Sequence, residues 1–165
     1  MTDLTPHRRT VADQDVLTVR RLIGIDDLDD FLEEAMDTLE RLAPAAGAQF
    51  VRYEDGLTAE RDGTVEVCQP IDERCPRHLD LPEGVGRRVE PAHVEAWITV
   101  TKAELAFPDI DEIYAALDQE VVDLGWERCG VPREVYWADW DDTSMEDPVC
   151  DVCFPVCPLP GELPS

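Results

Sequence analysis

The stretch CDVCFPV, residues 150–156, repeats the pattern of VEVCQPI, residues 65–71, 85 residues further along the chain. Both read acid, valine, cysteine, any residue, proline, aliphatic. A short match of this kind gains weight when its surroundings recur in the same order, and here they do. Gly47 and Tyr53 ahead of the first copy return as Gly130 and Tyr136 ahead of the second. A fixed period in a chain is the signature of a repeated structural unit.

Working outward, each copy is preceded by an amphipathic helix. Leu28, Phe31, Leu32, Ala35, Leu39 and Leu42 fall on one face at helical spacing, as do Ile110, Ile113, Tyr114, Leu117, Val121 and Leu124. Asp27 with Asp30, and Asp109 with Glu112, place acids at the two helix starts, where free amides and the helix dipole favour negative charge. Pro44 and Gly47 end the first helix and Gly125 ends the second. Strands are expected at 16–23, 48–54 and 64–70 around the first helix, and at 93–101, 134–140 and 149–156 around the second. The fold class is therefore α+β, built from duplicated strand-helix-strand-strand units. These form an antiparallel sheet with two helices on one face and a ligand cleft at the repeat interface. The expected organisation is a single domain over 14–156. Repeat one covers about 14–71, a linker 72–92 and repeat two about 93–156, with 1–13 and 157–165 as extended tails.

Composition narrows the function. Fourteen basic residues stand against 38 acids, a formal net charge of −24. Such a surface repels phosphate backbones, so direct nucleic-acid binding is not expected, and cationic partners are favoured. Solubility or a high-salt host accounts for the global charge equally well, so a specific cation site must rest on local residues. The absence of a basic-plus-apolar leader or a long apolar run argues against a membrane role and for a cytoplasmic protein.

In such a compartment the six cysteines, Cys68, Cys75, Cys129, Cys150, Cys153 and Cys157, read mostly as thiols. Cys150-x2-Cys153-x3-Cys157 has a metal-like spacing. A strand sends Cys150 and Cys153 to opposite faces, however, and no second pair completes four ligands, so neither a metal nor another cofactor is expected.

The chemistry concentrates in REVYWADWDD, residues 133–142. On an extended chain Glu134, Tyr136, Ala138 and Trp140 share one face, and Val135, Trp137 and Asp139 the other. A carboxylate on an aromatic face needs a partner, because taking it out of water costs several kcal/mol unless it is paired.

The duplicated plan, with GVPREVYWADWDD after the second helix and CDVCFPV as the closing strand, resembles the GyrI-like small-molecule-binding domains. These also serve as effector-binding domains of multidrug-sensing transcription regulators. The resemblance spans about residues 14–156 and is carried by the Glu-x-Tyr of Glu134 and Tyr136 and the strand end Pro155-Val156. It implies an aromatic pocket between the repeats, with Glu134 neutralising lipophilic, cationic or planar aromatic ligands. This chain departs from the family at TKAELAFPDID, where the glycine expected before the second helix is missing and Phe107 supplies the aromatic. Residues 1–13 are too short for a DNA-binding helical module, so a free-standing domain is expected.

The ligand-binding set is Glu134, Tyr136, Tyr53, Trp97, Tyr114, Trp137 and Phe107. Tyr53 enters as the repeat counterpart of Tyr136. Trp97 lies on the strand that opens the second repeat and Tyr114 on the inward face of its helix. The leading function is binding of a small hydrophobic or cationic molecule, in drug or toxin sensing or sequestration. Two alternatives follow from the resemblance. One is hydrolysis of cyclopropane-containing DNA-alkylating natural products, with Glu134 as general acid or base and Tyr136 orienting the substrate. The other is a protein modulator acting on gyrase or a regulator. His7, His78, His93 and Ser144 form no competing nucleophilic constellation.

Overall fold

The computed structural model describes residues 5–105 and 109–159. The chain divides into a central unit, Asp13–Pro91, and a terminal unit made of Met1–Ala12 with Ala92–Ser165. The architecture is α+β, with nine strands and two α-helices among the described residues and antiparallel pairing within each unit.

In the central unit β2 (Gln14–Ile23) leads through a short 3-10 turn to α1 (Leu28–Leu42), then β3 (Gln49–Tyr53), β4 (Gly63–Pro70) and β5 (Val85–Glu90). Their order is β3-β4-β2-β5. The helix lies where the periodicity places it and buries Phe31, Ala35 and Leu39. Asp27 makes no side-chain cap, because the 3-10 turn at Ile25–Asp27 puts it in helical geometry. Negative charge at this end comes from Asp29 and Asp30 in the first turn. The far end is capped from the sheet: the buried Gln69 amide donates to the carbonyls of Leu39 (3.0 Å) and Ala43 (2.8 Å), and Gln49 donates to Met36 (3.0 Å). These bonds tie the last turn of the helix to the sheet, and the one to Ala43 satisfies a carbonyl just past the helix end.

The terminal unit takes β1 (His7–Val11), β6 (His93–Thr101), α2 (Asp109–Asp123), β7 (Trp126–Arg128), β8 (Arg133–Tyr136) and β9 (Pro148–Pro158). The order is β1-β6-β9-β8, and β7 also pairs with β9, beyond the stretch taken by β8. Strand alternation separates two faces. Ala96, Ile98 and Val100 of β6 and Cys150, Val152, Phe154 and Val156 of β9 pack with Ile110, Ile113, Leu117 and Val121 of α2 in one apolar cluster. Glu95, Asp151 and Cys153 lie on the opposite face, where they meet Arg9. Cys150 and Cys153 thus diverge, as alternation requires. Gly125 ends α2 at φ +69°, a left-handed conformation that glycine adopts without a Cβ clash.

Four features depart from the sequence reading. Residues 85–90, read as linker, form β5 along β2. Residues 7–11, read as part of an extended tail outside the domain, form β1 along β6. Both are polar edge strands, with little of the apolar alternation that marks a strand from sequence. The stretch expected to be extended to residue 140 leaves the regular ladder after Tyr136, with one further bond from the Ala138 N–H to the Val149 carbonyl, and then bends and turns. Cys129 and Cys157, read as thiols, form a disulfide with Cα atoms 5.8 Å apart, because β7 pairs with the end of β9 at Glu127 and Cys157.

Candidate functional site

Glu134 and Tyr136 stand on β8, opposite Val152 and Cys150 of β9. That register points both toward α2: Tyr136, Ala138 and Tyr114 pack against the apolar cluster beneath the helix. Glu134 is only 6 % exposed, and the Tyr136 hydroxyl donates a hydrogen bond of 2.9 Å to its Oε2. Its charge is felt by its neighbours. Burial pushes the Tyr114 hydroxyl and the Cys150 thiol well above their ordinary pKa values, and the Glu134 carboxylate raises both further. A carboxyl group is therefore held beside two tyrosines in a poorly solvated place.

Further rings extend this side. Tyr114 lies 5.4 Å from Phe154, and Trp140 meets Tyr136 edge-on at 6.2 Å. Two internal cations sit on these rings. The Arg128 guanidinium is 3.9 Å from the Phe154 ring and pairs with Asp118 at 3.2 Å. The ammonium of Lys102 is 4.7 Å from the Trp140 ring and donates to the carbonyls of Trp140 (2.7 Å) and Thr143 (3.3 Å). Lys102 thereby anchors the turn after β8 that carries Trp140. Sequence reasoning put Trp140 on this face but not in the site, and it missed Phe154, Arg128 and Lys102. Phe154 was accessible from the alternation of β9; the two cations were not, because a turn and an edge strand bring them in.

The structure joins Glu134, Tyr136 and Tyr114 and does not bring Trp97 or Trp137 to them. Trp97 lies between Ala96 and Ile98, so it points to the other face, under Arg9 at 4.9 Å and beside His7 at 4.9 Å. Trp137 turns the same way, its indole N–H donating to Asp151 at 3.2 Å. Tyr53 belongs to the central unit, opposite Val65. Phe107 lies outside the described residues.

Arg133 makes a two-pronged pair with Glu95 (2.7 and 3.2 Å), and Arg52 bonds Glu66 (2.7 Å). Glu95 is fully buried and also receives Arg9 and His93.

No family model matches the chain, and no curated protein matches it in sequence. Solved structures do. The C-terminal domain of EcmrR superposes with a TM-score of 0.74 at 16 % identity, over 94 % of this chain and 98 % of that one. The chain spans 58 % of the full EcmrR chain seen in a complex with DNA. A hydrolase from Listeria innocua superposes at 0.68 and 12 % identity, over 95 % and 94 %. SAV2435, solved bound to tetraphenylphosphonium, superposes at 0.63 and 9 % identity, over 93 % and 94 %. At these identities the likeness is one of fold. The chain has the GyrI-like fold.

Proposed function

We propose that this protein binds lipophilic cations bearing planar aromatic groups, with Glu134 as the counter-charge and Tyr136, Tyr114 and Trp140 as the wall. The observation that carries the reading is the burial of Glu134 among rings. A carboxylate in that position bears a desolvation cost, and an arriving cation offsets it. Aromatic faces add about 0.5–2 kcal/mol each through cation–π attraction. With the carboxylate so covered, a ligand reaches it when Tyr136 releases its hydrogen bond and the Trp140 turn shifts. The same fold in SAV2435, bound to tetraphenylphosphonium, supports the ligand class.

We also read the two units as an internal duplication within one domain of about residues 14–156. The recurrence of Arg88 bonded to Glu66 and Cys68 in the pattern of Arg9 bonded to Asp151 and Cys153 supports this.

The test is a tetraphenylphosphonium titration followed by calorimetry, on the native protein and on Glu134→Gln. Removing one charge of a buried pair costs about 2–5 kcal/mol, so affinity should fall at least about thirtyfold. The thermal midpoint of Glu134→Gln should stay level or rise, which separates lost binding from lost folding. Unchanged affinity in this variant would overturn the reading.

A hydrolase reading draws on one further observation, the 2.9 Å hydrogen bond that couples the Tyr136 hydroxyl to Glu134. The protonated carboxyl gives its proton to the leaving carbon as the ring C–C bond breaks, and the carboxylate so formed takes a proton from the water whose oxygen bonds to the other carbon, which regenerates the acid. The Listeria innocua hydrolase with this fold supports the class. Incubation with a cyclopropane-containing alkylator should then give ring-opened product that disappears in Glu134→Gln; intact alkylator after incubation with native protein would exclude it.

A further inference from the structure

The face of the terminal unit turned away from Glu134 carries a groove of about 550 Å³, lined among others by Arg9, Trp97, Thr99, Val135, Trp137 and Asp151. We infer that this groove is a second binding site, separate from Glu134, for a planar aromatic carboxylate.

The carboxylates around it are already committed. Glu95 accepts four hydrogen bonds, from Arg9, His93 and both prongs of Arg133, and Asp151 accepts three, from Arg9, Thr99 and Trp137. A carboxylate offers about four such positions. Donors, by contrast, are left over. Arg9 uses its Nε–H on Glu95, one N–H on Asp151 and one on Cys153, so each terminal nitrogen keeps a spare N–H. The Trp97 indole N–H is buried without an acceptor among the described residues, a deficit worth about 1–3 kcal/mol. A ligand suited to this balance brings acceptors rather than donors. Trp137, 48 % exposed, offers a ring face for an aromatic body.

The central unit shows why the groove exists. There Arg52 stands opposite Glu66, in the register place that Val135 holds opposite Asp151. Arg52 reaches Glu66 at 2.7 Å and Glu90 at 3.8 Å, supplying that unit's second cation beside Arg88. In the terminal unit the second cation is Arg133, two residues before the valine, so position 135 is short without leaving a carboxylate unpaired. The result is space bordered by spare donors and an exposed indole. The net charge of −24 does not forbid an anion here, because charges beyond about 8 Å are largely screened at physiological salt.

The test uses 2-naphthoate at 150 mM salt, about physiological ionic strength, followed by tryptophan fluorescence and calorimetry, with the ammonium analogue naphthalen-2-ylmethylammonium as the opposite-charge control. Saturable 1:1 binding of the carboxylate is expected. Val135→Arg should abolish it by filling the groove, and Trp137→Leu, a change at an exposed side chain, should weaken it about fivefold or more. Glu134→Gln should leave it unchanged, which keeps the outcome independent of the cation site. The inference is overturned if 2-naphthoate fails to saturate, if the ammonium analogue binds as tightly, or if Trp137→Leu has native affinity. The last criterion decides the matter even where Val135→Arg does not fold.

Discussion

Glu95 shows how a single residue can organise a face of the sheet. Burial by itself would raise its pKa, but hydrogen bonds from His93, Arg133 and Arg9 outweigh burial and hold the carboxyl well below the usual carboxylate range. Glu66, bonded by Arg88 and Arg52, is lowered by the same balance. An unfolded glutamate titrates near pH 4.3, roughly. Both groups bind fewer protons folded than unfolded, so their stabilisation is complete above that pH and is lost as pH falls toward the folded values. Urea midpoints should therefore be level between about pH 7 and 5 and fall steeply below about 4.5. Glu95→Gln should cost about 3–5 kcal/mol at neutral pH, because it removes the buried charge that Arg133 and Arg9 both bond, and should flatten the acid slope. A native-like midpoint in that variant would show the pairing to be incidental. Glu134 could be singled out from sequence because a Glu-x-Tyr pair on a strand shares one face. Glu95 could not: His93 shares its face two residues away, but the two arginines that pair with it lie far along the chain, on β1 and β8.

At the scale of elements, the helices were legible because each carries its own period. Edge strands were not. β1 and β5 are held by the pairing that β6 and β2 offer, and β7 is three residues long. Missing β7 meant missing the disulfide, since only that pairing brings Cys129 to Cys157. Thiol titration of unfolded, unreduced protein should find four reactive cysteines: Cys68, Cys75, Cys150 and Cys153. Closing a loop across a separation of 28 residues contributes about 3–4 kcal/mol in the chain-entropy account, so reduction should lower the urea-unfolding free energy by that order. Six reactive thiols without reductant would refute the pairing.

For the molecule as a whole, the dominant quantity is net charge. Self-repulsion at −24 destabilises any compact state, and salt screens it. The thermal midpoint should rise between low-salt buffer and about 1 M KCl, where the screening length is about 3 Å. A falling midpoint would mean that ion networks such as Arg52, Arg88, Glu66 and Glu90 outweigh the repulsion.

What could be known from the chain alone was whatever short-range periodicity encodes. That includes two helices with their apolar faces, the closing strands with their alternation, and the sharing of a face by Glu134 and Tyr136. Only the tertiary structure decided which polar groups meet. It placed Trp97 and Trp137 away from Glu134, passed Arg133 to Glu95, brought Lys102 to Trp140 and left a groove at Val135. Periodicity is local along the backbone, whereas the pairing of charges and rings depends on which strands become neighbours, and polar edge strands carry little of that information in their own residues.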